Sequence, residues 1–540
     1  MNDFSTMSRS VLRTDFLRDQ EFKKFEQLER HFFWRPKVKI LIVTDGGPGF
    51  TGGNRGGSFD AINDFGLGEV IDELEHDPWW WVKFEITTAH RRNDALLAVT
   101  AMHKNFRFDT PPVPLASFDQ IWIFAVEGRN DGEAERVAQK IQPAEVAAIT
   151  AFMNAGGGVF ASGDHFGLGE CICAELPRIG KMRHWKPGGP VGDPPTALGN
   201  QRYDTSREGP TSGYQFSDQS DNVPQPIYPT RYYDPWNITI FNQRWRPHPI
   251  LCGRNGLINV LPDHMHENRI VQGATALAAG AAGEWPGAQA PEVIATARVI
   301  AHTNTDGFGF TSGPVAEEGL SAGEFGVLGA YDGHTQNVGR IAVDATWHHW
   351  FHVNVMGFDT ASANYDKIRN YWWNVALWLS PKTKQQAIYS AAVHGLIYTQ
   401  PFNELSAEIP VYRLGFAGVD AIGRRASLCT VTEWTLPPVF QEAWPKFKWR
   451  PIPPDPDPFR ERFTGLEHIR EFALGGALRE TLRAFGGKAM KQPPAESELV
   501  AVTERGARAG VAELLKFQTD EMGQMQRGMG LLEKVLSSTR

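Results

Sequence analysis

Apolar residues along this chain recur in two rhythms. Short runs rich in β-branched side chains read as buried strands at Val38–Thr44 (VKILIVT), Val82–Thr88, Asp119–Val126 (DQIWIFAV) and Val159–Ser162. Between them lie stretches with helical spacing. One runs from about Gly68 to Leu74. Another, PAEVAAITAFMN, opens on Pro143, which suits a first helical position, and is stopped by Gly156–Gly158. Strand-like runs return at Leu257–Leu261, Val293–Ala301 and Arg340–Ala345, and a helix is expected from about Asn364 to Leu379, before Pro381. Alternation of this kind predicts an α/β domain: a parallel sheet with helices on both faces.

The rest of the chain departs from that rhythm. Residues 1–36 include an amphipathic, helix-like segment over 10–34 that Pro36 ends. Residues 186–250 are rich in Pro, Gly, Asp, Tyr and Arg and read as an irregular insertion or lid. After residue 380 comes a mixed accessory region (381–450), then PIPPDPDP (451–458), a proline-rich linker signal, then a helical C-terminal region (459–540).

Composition narrows the function classes. At 540 residues the chain is long enough for two or three domains, and its 41% hydrophobic and 21% charged content is that of a water-soluble globular protein. A net charge of −8 with no long basic run argues against a general nucleic-acid binder. No apolar stretch approaches a membrane span, and charges interrupt MNDFSTMSRSVLRTDFLRDQEF too often for a secretory leader. The four cysteines (Cys171, Cys173, Cys252, Cys429) form no CxxC pair and are too sparse for a disulfide scaffold, which fits reduced thiols and a cytoplasmic setting.

The segment with the clearest chemistry is VFASGDHFGLGE (159–170). A strand that bends sharply into a helix needs small residues beside its apex, and here Gly163 and Gly167 flank Asp164, His165 and Phe166. This G-x-H-x-G turn, with AEVAAITAFMNAGGG and FDQIWIF ahead of it, resembles the class I glutamine amidotransferase-like superfamily. It is most similar to the trehalose-utilisation (ThuA-like) branch, which has histidine where amidotransferases keep their nucleophilic cysteine. The resemblance covers about residues 37–380. It implies a flavodoxin-like, doubly wound, mostly parallel sheet, carrying here a long insertion and a helical C-terminal region. It implies chemistry on a sugar or oxidised sugar. Cys171 lies six residues past the apex and cannot serve as the elbow cysteine, so glutaminase chemistry through a thioester is not expected.

Candidate site residues gather where strands should end. Asp164 and His165 sit at the bend, with Glu170 close behind, and a histidine there suits a general base or a metal ligand. GRIAVDATWHHW should bring His348 and His349 to another carboxyl end. On an extended segment His348, Trp350 and His352 share a face; on a helix His348 and His352 align instead. Asp45, after the first strand, and Glu127, after the third, belong to the same edge as substrate-binding candidates. In LPDHMHEN, His264 and His266 project to one side and Asp263 and Glu267 to the other, a pattern suited to zinc, iron or manganese; a solvated polar loop is the alternative. His334, in YDGHTQN, reads as an ordinary turn residue.

Two functional classes remain. One is a hydrolase or lyase acting on a small, carbohydrate-like molecule through a His/Asp site, with a divalent metal as its candidate cofactor. The other is a non-catalytic ligand-binding or assembly scaffold on the same fold. Either accommodates self-association through the C-terminal helices.

Overall fold

The computed structural model describes residues 35–45, 49–51, 66–76, 81–91, 101–125, 140–163, 168–186, 189–191, 224–233, 245–254, 256–262, 269–299, 323–355, 357–398, 409–423, 431, 468–486 and 494–538. The expected helix at 10–34, Asp164, His165, Glu127, the 263–268 cluster and the linker at 451–458 lie outside these residues.

An eight-stranded sheet organises the α/β part. Its strands are β1 (Lys37–Thr44), β2 (Lys83–His90), β3 (Gln120–Phe124), β4 (Gly158–Ser162), β5 (Tyr228–Pro229), β6 (Glu292–Val299), β7 (Gly323–Tyr331) and β8 (Ile341–Asp344), in the spatial order β2-β1-β3-β4-β8-β7-β6-β5. The pairings β2/β1, β1/β3, β3/β4 and β4/β8 are parallel, and those from β8 through β7 and β6 to β5 are antiparallel. The five parallel strands follow the flavodoxin-like order, whose direction reverses between β1 and β3. The parallel strands are almost wholly buried, as their continuous apolar runs require.

Helices α1 (Gly68–Glu75), α2 (Pro143–Asn154) and α3 (Ala363–Leu379) belong to this layer. Helix α3 is started by Ser362, whose hydroxyl accepts the Tyr365 N–H. It packs close to the sheet: Gln120 donates to the Ala376 carbonyl at 2.5 Å, and a Cβ on Gly158 would lie 2.1 Å from the Leu379 carbonyl oxygen. Helix α2 starts at Pro143 as its sequence predicts. Glu145 accepts from Gln142 N–H, and Arg91 closes on the same carboxylate at 2.6 Å in a buried ion pair.

Three segments depart from expectation. Strand β7 carries no clear sequence signal, because glycines interrupt its apolar run. They are needed where Ile270 crosses the strand: a Cβ on Gly329 would come within 2.8 Å of the Ile270 side chain. Leu257–Leu261 is not one strand. Gly256–Leu257 pairs with Cys252–Gly253 and Val260–Leu261 with Gln225–Pro226, so two different neighbours divide it. The described part of the insertion supplies β5 and sits against β6, with Tyr232 donating to Glu292 at 2.9 Å.

After the α/β part come α4 (Lys382–Leu396), α5 (Val411–Gly423), α6 (Ile469–Phe485) and the 43-residue α7 (Glu496–Ser538). Helix α6 lies between α5 and α7, and α4 also packs on α7, with Ser390 and Thr503 hydroxyls 2.7 Å apart. The α6–α7 approach is backbone-close: a Cβ on Gly476 would meet the Gly506 carbonyl oxygen at 2.1 Å. Cys171 and Cys173 are buried free thiols, but Cys252 is disulfide-bonded. The expectation of uniformly reduced thiols is corrected there, since Cys252 has no cysteine near it in sequence to signal a pair. No helix among the described residues is long and apolar enough to cross a membrane.

Candidate functional site

Strand register places one row of residues across the carboxyl edge of the parallel sheet. His90 stands beside Thr44, Thr44 beside Phe124, Phe124 beside Ser162, and Ser162 beside Asp344. Asp45, Ala125, Gly163 and Ala345 follow as the chain leaves the sheet. Sites in open α/β sheets form at this edge.

The β4 end explains its glycines by contact. A Cβ on Gly163 would lie 2.5 Å from the Leu168 carbonyl oxygen and 2.8 Å from the Trp185 ring, and Gly169 has φ 95°. Arg183 lies beneath this turn, 4.6 Å from the Trp185 ring centroid, and donates twice to the Ala345 carbonyl at 3.1 and 2.8 Å. Burial, and then the negative charge of Asp45, push the Cys173 thiol well up, while Arg183 opposes them. Cys173 is therefore a protonated core thiol, not a nucleophile. Asp45 and Ser162 are buried, and the hydroxyls of Thr44 and Ser162 have no hydrogen-bond partner among the described residues.

At the end of β8 the chain turns through Trp347–His349, a single 3-10 turn whose start is capped by the Thr346 hydroxyl accepting from His348 N–H at 3.0 Å. Asp344 is the hub. Its carboxylate accepts from His349 Nδ1 at 2.8 and 2.9 Å, Trp350 Nε1 at 2.8 Å, Tyr371 OH at 2.7 Å and Thr346 N–H at 3.3 Å. Burial pushes the Tyr371 phenol well up, and the neighbouring Asp344 adds to this, so Tyr371 stays a donor. The segment then crosses the edge. The Trp350 ring packs on Phe160 and Phe124 at 4.5 and 5.7 Å, and His352 N–H donates to the Gly66 carbonyl at 2.7 Å, just before α1.

The three histidines of TWHHWFH thus go to three partners. His349 is set by Asp344. His348 stacks on Trp347 at 4.1 Å, and its Nδ1 accepts from Asn354 Nδ2 at 2.8 Å. His352 faces Glu69 at 3.4 Å, and Glu69 also accepts from Tyr365 OH. With Nδ1–H donating to Asp344 a neutral His349 carries its lone pair on Nε2, and with the Asn354 amide as donor a neutral His348 carries its proton on Nε2. Both rings are fully enclosed.

Asp45 shares this edge with His348 and His349 but leaves β1, three strands from Asp344, or about 14 Å at the usual strand spacing. His334 is buried far back, before β8, and burial holds its imidazole well below the ordinary range, so the bland reading suits it. Among the described residues no group of three or more His, Cys, Asp or Glu is arranged to hold a metal. Sequence reasoning missed Asp344, Asn354 and Tyr371. The available signal was an aspartate ending an apolar strand five residues before a histidine.

No protein-family model and no curated protein sequence matches the chain. Among solved structures it is similar to a protein from Parabacteroides merdae described as ThuA-like, at 10% identity over 64% of this chain and 90% of that one, with a TM-score of 0.26. The fold assignment rests on the strand order, not on this likeness.

Proposed function

We propose that the chain is a ThuA-like hydrolase or lyase, without glutaminase activity, acting on a small carbohydrate-like molecule at the carboxyl edge of its sheet. One observation carries this: His349 and His348 are neighbours in the turn after β8, the first held at Nδ1 by the Asp344 carboxylate and the second by the Asn354 amide. A base beside an N–H donor is the pairing needed to take a proton from carbon or water while a neighbouring oxygen gains charge. Asp164, His165 and Glu127 belong to this proposal through their sequence positions alone. So does a divalent metal held by Asp263, His264, His266 and Glu267; elemental analysis of the purified protein tests it.

The test follows the purified chain with aldoses, keto-sugars and disaccharides in D2O by NMR, reading proton exchange, elimination and hydrolysis. Turnover that falls at least a hundredfold in His349→Gln, with the fold retained, supports the enzyme. The full enclosure of both rings favours a second reading, a non-catalytic scaffold. It is the better account if wild-type protein turns over nothing and His349→Gln changes only the unfolding midpoint.

A further inference from the structure

Among the described residues, the distal half of α7 carries an exposed apolar seam. Toward its start, Leu499, Ala507, Val511 and Leu514 are buried against the other C-terminal helices. Beyond them Met522, Met525, Met529, Leu532 and Leu536 recur at alternating intervals of three and four, and each is more than half exposed. That alternation is the a/d pattern of a coiled coil, in which every knob faces a second helix. Counting back, Leu515 takes the preceding a position, so the seam runs about 33 Å, or three heptads.

We propose that this segment pairs, parallel and in register, with the same segment of a second copy of this chain. Three observations select that occupant. First, no charged residue enters an a or d position from Leu515 to Leu536. Second, the flanking positions are self-compatible: in a parallel pair Glu521 faces Gln526 of the other helix and Gly528 faces Glu533, with no like charges opposed. Third, the ionic side chains balance, Lys516, Arg527 and Lys534 against Asp520, Glu521 and Glu533, so the basic polar face that would bind an anionic membrane is missing. The glycines point the same way. Among the described residues a Cβ on Gly528 or Gly530 would meet nothing within 4 Å and one on Gly523 would meet the end of Arg527, so no described contact requires these glycines. Interior glycines weaken an isolated helix, and a partner helix restores what they remove. Gly528 also flanks the seam, where a missing side chain lets a second backbone come near.

Sedimentation of the full chain at micromolar concentration is expected to give a dimer. Met525→Glu with Met529→Glu is expected to give a monomer with at least a hundredfold weaker association, whereas Phe517→Ser with Leu531→Ser, off the seam, keeps the dimer. Leu536→Cys is expected to form an intermolecular disulfide under mild oxidation, which tests register without disturbing the fold. A monomeric wild-type chain overturns the proposal. So does a dimer that survives the double glutamate variant, or a failure of Leu536→Cys to cross-link. Binding of wild-type monomer to phosphatidylserine vesicles, lost in the glutamate variant, would assign the seam to a lipid surface instead.

Discussion

Asp344 shows how one buried carboxylate shapes the candidate site. Four donors converge on it, and a carboxylate so satisfied holds the turn that presents both histidines. Asp344→Asn keeps the volume but turns an amide N–H2 toward groups that already donate. The expected outcome is a loss of about 3 kcal/mol in urea unfolding, with the His349 ring freed to change tautomer, readable in its 15N shifts. Asn354→Leu is expected to cost about 1–2 kcal/mol and to release the His348 tautomer while leaving that of His349 unchanged. The sequence pointed to His348 and His349 because paired histidines after an apolar run are conspicuous. It did not point to Asp344, whose partners come from residues 346–350 and from α3. A hub assembled from a turn and a distant helix has no fixed spacing in one dimension.

At the scale of elements, two ionisable groups tie helices to their neighbours. Burial alone would raise the Glu145 carboxyl, but the hydrogen bond and charge of Arg91, with the N–H groups of Gln142 and Phe108, outweigh it and hold it below its ordinary 4.5. A depressed carboxyl stabilises the fold above its unfolded pKa and loses that contribution as pH falls through the lower folded value. Glu145→Gln is therefore expected to lower stability at pH 7 and to flatten its decline below pH 4.5. His394 in α4 behaves with the same sign for a different reason. Burial takes its imidazole from 6.5 to about 4, so the unfolded chain binds the proton first. Its contribution is complete above pH 6.5 and fades by about 3 kcal/mol as pH falls toward 4. His394→Leu should remove that slope in chemical unfolding measured at pH 7 and pH 4.5. Most elements were legible, since strands β1 to β4 and helices α2 and α3 carry apolar runs of the right length and plain stops. β7 was not, because the glycines that accommodate Ile270 erase its pattern.

For the whole molecule, the parallel half of the sheet positions the site and the antiparallel half finishes the layer. The C-terminal helices form a separate packing problem, solved by close backbone approach. Gly476→Val would force its side chain into the Gly506 carbonyl. It should part α6 from α7, lowering stability by about 3 kcal/mol and speeding hydrogen exchange in both helices. The two-residue β5 has a consequence of its own. It pairs with Ala295 and Thr296 at the middle of β6, and Thr230 N–H adds a bond to the Ile294 carbonyl. Pro229, with no N–H to offer a newcomer, sits in that outermost position. The insertion therefore works as a guard rail: excising residues 224–233 would bare a row of backbone groups able to recruit strands from other molecules. Light scattering on such a deletion should rise within hours at concentrations where the intact chain stays clear.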